Sequence, residues 1–145
     1  MKKLQIRPLN TGDVEDISRI HASIIKKPNE INFQRIIEEQ DRSNSVASFA
    51  AELDGKVVGY MITYTLSAGF GIDKSAWIAI FGVDPKHMGQ GIGKSLAEEV
   101  FRFYEKRGIR DIYTSVRWDS TDILSFFKTL GFDRSRFINL SKVLE

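Results

Sequence analysis

The chain has 145 residues, of which 42% are hydrophobic and 28% charged, and its net charge is +2. These values are typical of a soluble globular domain, and so small a net charge disfavours a dedicated nucleic-acid-binding protein. The chain contains no cysteine and two histidines, which excludes disulfides, thiolate chemistry and a histidine-rich metal site. No apolar run is long enough to span a membrane and the N-terminus does not resemble a signal peptide, so we expect a cytoplasmic protein. With the charge and residue counts above, we expect no metal, nucleic-acid or membrane partner.

The first part of the chain predicts a short strand followed by two helices. Leu4–Pro8 alternates apolar and polar residues as an edge strand does. Thr11 or Asp13 can cap the first helix, whose apolar residues follow helical spacing. A second helix is expected from about Ile31 to residues 43–44. The apolar positions of the first helix are Val14, Ile17, Ile20 and Ile24.

The middle of the chain predicts three strands. Ser48–Leu53 and residues 56–65 flank Asp54-Gly55, a pair typical of a two-residue hairpin turn because both residues tolerate positive φ. Residues 76–83, AWIAIFGV, are almost wholly apolar, which is typical of a central strand buried on both faces.

The remainder predicts a helix that ends at Gly108, a strand at 112–116, a helix from Asp119 or Ser120 to Leu130, and a last strand at 136–144. No repeat or linker interrupts this order, so we expect one domain over residues 1–145. The order of elements indicates an α+β fold, with a mixed sheet flanked by helices.

The stretch HMGQGIGKSL, residues 87–96, places three alternating glycines before a helix. A nucleotide P-loop requires a glycine where this chain has Met88, and the dinucleotide fingerprint G-x-G-x-x-G is absent. A plain glycine-rich turn is possible, but it needs fewer glycines. A pyrophosphate cradle fits better, because Gly89, Gly91 and Gly93 let an anion approach backbone N–H groups at a helix N-terminus.

VDPKHMGQGIGKSL resembles motif A of the GCN5-related N-acetyltransferases, the GNAT superfamily, with its core at residues 88–93. Three further segments resemble the family in the same order along the chain. IRPLNTGDVEDI resembles its opening strand and helix, AELDGKVVGYMITY its central hairpin, and VRWDSTDILSFFKTLGF its closing motif.

The resemblance implies acetyl-CoA as the cofactor and direct attack by a primary amine of a peptide, a protein or a small molecule. It implies a mostly antiparallel mixed sheet in which two parallel strands splay to form the cofactor cleft. The backbone N–H of Val83 is expected to polarise the thioester carbonyl. The resemblance assigns to the cofactor Phe81, Gly82, Val83, Met88, Gly89, Gln90, Gly91, Ile92, Gly93, Lys94, Ser95, Phe126, Phe127 and Lys128.

Two residues depart from the family pattern. Met88 occupies a position where the family usually has Arg or Gln, and a cation there would add a charge-assisted bond of about 1.5–3 kcal/mol to phosphate. Phe127 occupies the position of a tyrosine that protonates the departing thiolate in many members. Core packing of Phe126 and Phe127 is the alternative interpretation. Tyr60, Tyr64 and Tyr113 are other possible proton donors.

The strand at 76–83 also lacks the acidic residue that serves many members as a base. Glu52, Asp84 and Asp119 are candidates elsewhere, although Asp84 and Asp119 also suit turns or caps. Neutralising a lysine at pH 7 costs about 4.6 kcal/mol, whereas an α-amine costs about 1 kcal/mol. A site without a strong base therefore favours an acceptor with a low amine pKa.

The sequence says least about the acceptor pocket, which the resemblance places at residues 25–31, 66–75 and 134–138. Basic side chains there either face an anionic acceptor or are solvated surface. His21 is expected to be a packing residue, and Trp77 and Trp118 to be core or cleft-lining residues. A homodimer is possible. The alternative functions are a catalytically silent CoA-binding module and, more remotely, a P-loop kinase.

Overall fold

The computed structural model describes residues 3–25, 31–42, 46–67 and 73–145. These residues fall into two compact units, Met1–Thr114 and Ser115–Glu145. The first unit contains the sheet and three helices, and the second contains one helix and an irregular segment. The single domain expected over residues 1–145 stays a prediction.

The sheet of the first unit has five strands in the order β1-β2-β3-β4-β5. Neighbouring strands are antiparallel except β4 and β5, which are parallel. The predicted mixed, mostly antiparallel sheet is therefore confirmed. The strands are β1 (Leu4–Pro8), β2 (Ser48–Leu53), β3 (Lys56–Leu66), β4 (Ser75–Val83) and β5 (Ile112–Thr114).

Helices α1 (Val14–Ile25) and α2 (Phe33–Asp41) cover one face of this sheet. Their apolar stripes and the facing strand residues form a buried core, because helical and strand periodicity bring every apolar position of a face to the same side. This core comprises Leu9, Ile17, Ile20, Phe33, Ile37, Ala50, Val57, Tyr60 and Ile62.

Helix α3 (Ile92–Glu105) covers the opposite face. A Cβ built on Gly59 of β3 would lie 3.0 Å from Ile92 Cγ2 and 3.3 Å from Leu96 Cδ1. At its other end α3 is held by the Tyr104 hydroxyl, 2.6 Å from Thr63 Oγ1. The missing side chain of Gly59 thus lets the first turn of α3 lie close against the strand.

The predicted cap of the first helix is wrong in detail. A short 3-10 turn, Thr11–Asp13, precedes α1, and Asn10 caps it by accepting a hydrogen bond from Gly12 N at 2.9 Å. The side chain of Asp13 instead closes the capping box by accepting from Asn10 N, also at 2.9 Å. Helix α2 is present as predicted and is capped by Asn32; its predicted end at residues 43–44 lies outside the described residues.

Two strand predictions near the end of the chain need correction. The strand predicted at 112–116 ends at Thr114, which pairs with Ile78 of β4 and whose hydroxyl donates to Ile78 O at 2.9 Å. No strand forms at 136–144, where Ile138, Leu140 and Val143 are each more than 80% exposed. An apolar pattern specifies a strand only if a neighbouring strand pairs with its backbone, and this segment has no such pairing.

The second unit is organised around α4 (Thr121–Thr129), which follows Ser120 and ends before Gly131, where φ is +95°. Both the helix and its glycine stop are as predicted. Phe127 is buried, with ring centroids 5.2 Å from Phe126 and 5.1 Å from Phe132. No helix among the described residues combines the length and apolar character that a membrane span needs.

Candidate functional site

The parallel pairing of β4 with β5 covers only the first part of β4. The paired residues are Ala76 with Ile112, Trp77 with Tyr113, and Ile78 with Thr114. β4 itself continues to Val83, five residues beyond the last of these pairs. The two parallel strands therefore share a short ladder, and the rest of β4 extends beyond the end of β5.

A β-bulge in β4 changes which of its backbone groups point toward the β5 side of the strand. Ile80 pairs with Ile62 and Ile78 with Thr63, so Ala79 is an extra residue. Before the bulge, Ala76 N bonds to Asp111 O at 3.0 Å, and after it Asp84 N bonds to Val58 O at 2.8 Å. Because backbone groups alternate in direction along a strand, those of Phe81 and Val83 face away from β3, toward the β5 edge.

The glycine loop begins directly after β4. Asp84 caps a 3-10 turn, Pro85–His87, by accepting a hydrogen bond from Lys86 N at 3.1 Å, which confirms its predicted role as a turn residue. Gly89 and Gly91 then adopt φ values of +80° and +78°. This left-handed conformation costs other residues about 1–2 kcal/mol, so both positions favour glycine.

Helix α3 starts without a side-chain cap. Gly91 is its N-cap residue and can offer no side-chain acceptor, and the first turn contains no acidic residue. The first internal bond runs from Ser95 N to Gly91 O at 3.0 Å. The N–H groups of Ile92, Gly93 and Lys94 therefore have no carbonyl partner inside the helix, and the positive end of the helix dipole adds to them.

This arrangement fits a diphosphate. A Cβ built on Gly89 or Gly91 would meet no atom within 4 Å, so the space over both residues is open. The Nδ1 atom of His87 is buried and has no hydrogen-bond partner among the described residues. Open space, unsatisfied N–H groups and the exposed Lys94 together form a site whose chemistry suits an anion.

Each of the three carboxylates considered as a base is bonded to an arginine. Arg7 Nε lies 3.0 Å from Glu52 Oε1 on β2, a strand that is not adjacent to β4. Arg19 Nη1 lies 3.5 Å from Asp84 Oδ2. In the second unit, Asp119 accepts two bonds of 3.0 Å from Arg117 and does not act as the predicted helix cap.

The pKa shifts of two of these groups weaken them further as bases. Burial alone would raise the pKa of Asp84, but hydrogen bonds from Lys86 N and Arg19 outweigh it and the pKa is lowered. The hydrogen bonds from Arg117 lower the pKa of Asp119. A carboxylate whose pKa is depressed accepts a proton less readily near neutral pH.

His21 is a packing residue, as predicted. Its Nδ1 atom lies 3.2 Å from the hydroxyl of Tyr60, and its ring makes an edge contact with Phe33. Burial lowers the pKa of His21 and raises that of Tyr60. A Cβ on Gly82 would lie 2.9 Å from Tyr60 Cε1, so Gly82 allows this ring to lie against β4.

Tyr64, one of the tyrosines named as a possible proton donor, lies on β3 and is 42% exposed. Its ring is stacked with that of Trp77 on β4, with centroids 6.4 Å apart. Trp77 is in turn stacked with Tyr113 on β5 at 4.9 Å. Sequence reasoning considered these residues one at a time, and only the strand register reveals that they form a row.

The remaining predicted residues lie in the second unit or outside the described residues. Phe127 packs in the core of the second unit, which agrees with the packing alternative, while Lys128 is exposed. Trp118 is 87% exposed and is not a core residue. Of the three predicted acceptor segments, residues 26–30 and 68–72 are not described, and 134–138 has no regular structure.

A cavity of about 470 Å³ lies at the other end of the first unit, near the C-terminal end of α3. Its lining includes Leu9, Ile37, Phe49, Phe103 and Arg107. The glycine loop does not line it, so this cavity is separate from the anion site. Across the described ranges, no three His, Asp or Glu side chains come together as metal ligands would.

Comparison with known proteins agrees with this geometry. Residues 14–132 match the acetyltransferase (GNAT) family. The chain is 33% identical over 89 residues to a mycothiol acetyltransferase of Amycolatopsis mediterranei, covering 59% of this chain and 30% of that protein. It is 27% identical over 88 residues to the [ribosomal protein bS18]-alanine N-acetyltransferase of Escherichia coli K12, covering 61% and 55%.

Among solved structures, aminoglycoside N-acetyltransferase AAC(6')-Iy in complex with CoA superposes with a TM-score of 0.83 at 18% identity, covering 99% of this chain and 96% of the other. The fold is thus that of a CoA-dependent acetyltransferase. The chain belongs to the acetyltransferase (GNAT) family, whose cofactor is acetyl-CoA. It spans about half the length, or less, of the curated relatives it matches.

Proposed function

We propose that this chain is an acyl-CoA-dependent N-acetyltransferase that moves an acetyl group from acetyl-CoA to a primary amine. The observation that carries the proposal is the uncapped start of α3, with two left-handed glycines and no carboxylate in its first turn, directly after the edge of β4. An anion site that follows directly on a strand edge suits an extended thioester with a diphosphate at its other end.

The backbone N–H groups of residues 89–94 would hold the diphosphate, and Lys94 would add charge. The edge of β4 at Phe81 and Val83 would align the pantetheine, with the N–H of Val83 polarising the thioester carbonyl. Met88, Gln90 and Ser95 would border the diphosphate, and Phe126, Phe127 and Lys128 stay predicted contacts. When bound, acetyl-CoA would supply an acetyl thioester: the amine nitrogen would bond to the carbonyl carbon, the C–S bond would break, and CoA would leave as a thiol that carries the proton given up by the amine.

The proton of the attacking amine determines which acceptors suit this site. Glu52, Asp84 and Asp119 are each bonded to an arginine. An acceptor that is already partly neutral at pH 7 needs no strong base, because neutralising an α-amine costs about 1 kcal/mol against about 4.6 kcal/mol for a lysine. The site therefore favours a peptide or protein α-amine, or a small amine of low pKa.

The test compares two peptides at pH 7 by the release of free CoA thiol from acetyl-CoA. One peptide has a free N-terminal alanine and no lysine; the other is blocked at its N-terminus and contains one lysine. We expect at least tenfold faster turnover of the first peptide. Faster turnover of the lysine peptide would contradict the assignment of the acceptor class.

The arginine-bonded carboxylates also favour a second candidate function, a CoA-binding module without catalysis. Calorimetry with CoA and the turnover assay separate the two functions. Binding of CoA without turnover of any amine, over a panel that includes an aminoglycoside, would support the silent module. An absence of CoA binding would contradict both functions.

A further inference from the structure

Three aromatic side chains lie side by side across the sheet. Tyr64 of β3 pairs with Trp77 of β4, and Trp77 pairs with Tyr113 of β5. The planes of Tyr64 and Trp77 differ by 8°, and those of Trp77 and Tyr113 by 28°. We call these three residues the aromatic row.

The aromatic row adjoins the last residue pair of the ladder between β4 and β5. The last pair of their ladder is Ile78 with Thr114, one residue beyond Trp77 and Tyr113. Phe81 is four residues beyond Trp77 along β4, which at about 3.3 Å per residue is roughly 10–13 Å once the bulge is allowed for. The row therefore lies at the closed end of the proposed cofactor cleft.

The row also lies on the face of the sheet opposite α3. Tyr64 is four residues after Tyr60 on the same strand, so both side chains lie on the face that α1 and α2 cover. On the other face, Thr63 contacts Tyr104 of α3. A diphosphate at the start of α3 and a molecule on the row would thus approach the cleft from opposite faces.

The row is held in place but accessible. Trp77 Nε1 donates to Ser75 Oγ at 3.0 Å, and Ser75 Oγ donates to Leu66 O at 3.2 Å. Tyr64 is 42% exposed and Leu66 38%, while Trp77 and Tyr113 are half-buried. A fixed Trp bordered by two Tyr residues provides apolar contact area with little entropy left to lose on binding.

We propose that the amine nitrogen approaches the thioester from beside Phe81 and that the aromatic row binds the body of the acceptor, so that acceptors with an apolar or aromatic group about 10 Å from that nitrogen are selected. This inference rests on the proposed function, since the amine has to enter the cleft at Phe81 and Val83. Short amines react without contacting the row, whereas extended acceptors gain affinity from it.

The experiment uses two amines with the same alkyl chain, hexylamine and 6-phenylhexylamine. The phenyl ring of the second lies roughly as far from its nitrogen as the aromatic row lies from Phe81.

In the unmodified protein, kcat/KM for 6-phenylhexylamine is expected to exceed that for hexylamine about tenfold. In Trp77→Leu and in the more exposed Tyr64→Leu this ratio falls toward one, and in Trp77→Phe most of it is kept. Equal kcat/KM values for the two amines in the unmodified protein, or a ratio unchanged in both Leu variants, would overturn the proposal.

A binding measurement keeps this test separate from the proposed function. The chain has two tryptophans, so Trp118→Phe leaves Trp77 as the sole tryptophan, which can be excited selectively over the tyrosines. If CoA binds but neither amine is acetylated, the row is still tested by titrating both amines, while the proposed function is decided by the assay with the two peptides. A change in Trp77 fluorescence with 6-phenylhexylamine at concentrations where hexylamine has no effect supports the row as a binding surface. Identical responses would refute it.

Discussion

Two helix N-termini in the first unit differ in whether side chains satisfy their backbone N–H groups. At the turn before α1, the side chains of Asn10 and Asp13 form a reciprocal capping box, and Arg7 bonds to both carboxylate oxygens of Asp13 at 2.8 Å. At the start of α3, Gly91 provides no side chain and no acidic residue follows it. The first start is closed by its own side chains, and the second leaves its donors available.

The difference shows where each start obtains its stability. The N-terminus before α1, which we call the closed start, is stabilised by charge-assisted hydrogen bonds. The N-terminus of α3, which we call the open start, is stabilised by packing of Ile92 and Leu96 against Gly59. Helix α2 is closed by Asn32, and α4 lacks a side-chain cap but has Asp122 in its first turn. An open start that also lacks negative charge is therefore the feature that distinguishes α3.

The largest effect is expected at the closed start. Asp13→Ala removes a buried carboxylate that bonds to Arg7 and to Asn10 N, and leaves the Arg7 guanidinium with Glu52 as its remaining acidic partner. Since Arg7 is partly exposed, we expect a loss of about 2–3 kcal/mol in the free energy of unfolding rather than the full cost of a buried pair. Urea denaturation measures this loss. The affinity for CoA should stay within twofold, and a large loss of CoA affinity in folded protein would show that the two starts are not independent.

The same residue gives a pH dependence. Burial would raise the pKa of Asp13, but hydrogen bonds from Arg7 and Asn10 N outweigh it and lower the pKa below its usual 3.8. The ionised form is thus favoured by folding, so its stabilising contribution is present above about pH 4 and is lost as the pH falls through the lowered pKa. Urea midpoints of the unmodified protein and Asp13→Asn should differ at pH 6 and converge as the pH falls through the lowered pKa of Asp13. A difference that stays constant with pH would contradict this role.

A matched pair of glycine variants separates conformation from binding. Gly91 and Gly108, one at each end of α3, have φ values of +78° and +75°, and neither has an atom within 4 Å of an added Cβ. Alanine at either position should therefore lower stability by about 1–2 kcal/mol. Gly91→Ala should also weaken CoA binding, because relaxation of the strained residue moves the donors. Equal CoA affinity of the two variants, measured by calorimetry, would argue against the loop as the diphosphate site.

A charge reversal at the open start should move stability and binding in opposite directions. Lys94→Glu places a carboxylate in the first turn of α3, which should raise helix stability by about 0.3–1 kcal/mol. The same carboxylate repels a diphosphate, so the Kd for CoA should rise about tenfold at low salt, and Lys94→Gln should lie between. Melting curves and calorimetry on the three proteins check both signs. Tighter binding by Lys94→Glu would place the anion elsewhere.

The sequence correctly predicted those elements that depend on a few neighbouring residues, such as turns and helix ends. The Asp54-Gly55 turn has φ values of +52° and +82°, as a two-residue hairpin requires, and Gly131 ends α4 as predicted. The glycine loop was found for the same reason, because it needs positive φ at fixed positions before a helix. The cap at Asn10 was missed because Thr11 and Asp13 are equally good capping residues by type, and only the extra 3-10 turn decides between the three.

Features that depend on pairing between distant strands could not be predicted in this way. The extra residue Ala79 is set by the register of β3 against β4, and nothing in AWIAIFGV identifies it. The alignment of Tyr64, Trp77 and Tyr113 likewise requires both registers to be known. The partners of Glu52 and Asp119 are arginines whose side-chain directions the sequence does not specify. The predicted strand at 136–144 had an apolar pattern but forms no strand.

The smallest expected effect concerns Met88, which is 58% exposed immediately before Gly89. Met88→Arg would place a guanidinium beside the open start of α3, where a charge-assisted hydrogen bond to phosphate becomes possible. Because the side chain is exposed, screening reduces the gain, and we expect CoA to bind about threefold to tenfold more tightly with stability unchanged. Met88→Gln is the neutral control and should give a smaller gain. Since the effect is electrostatic, it should shrink as salt is raised, and a gain that is insensitive to salt would have to come from packing instead.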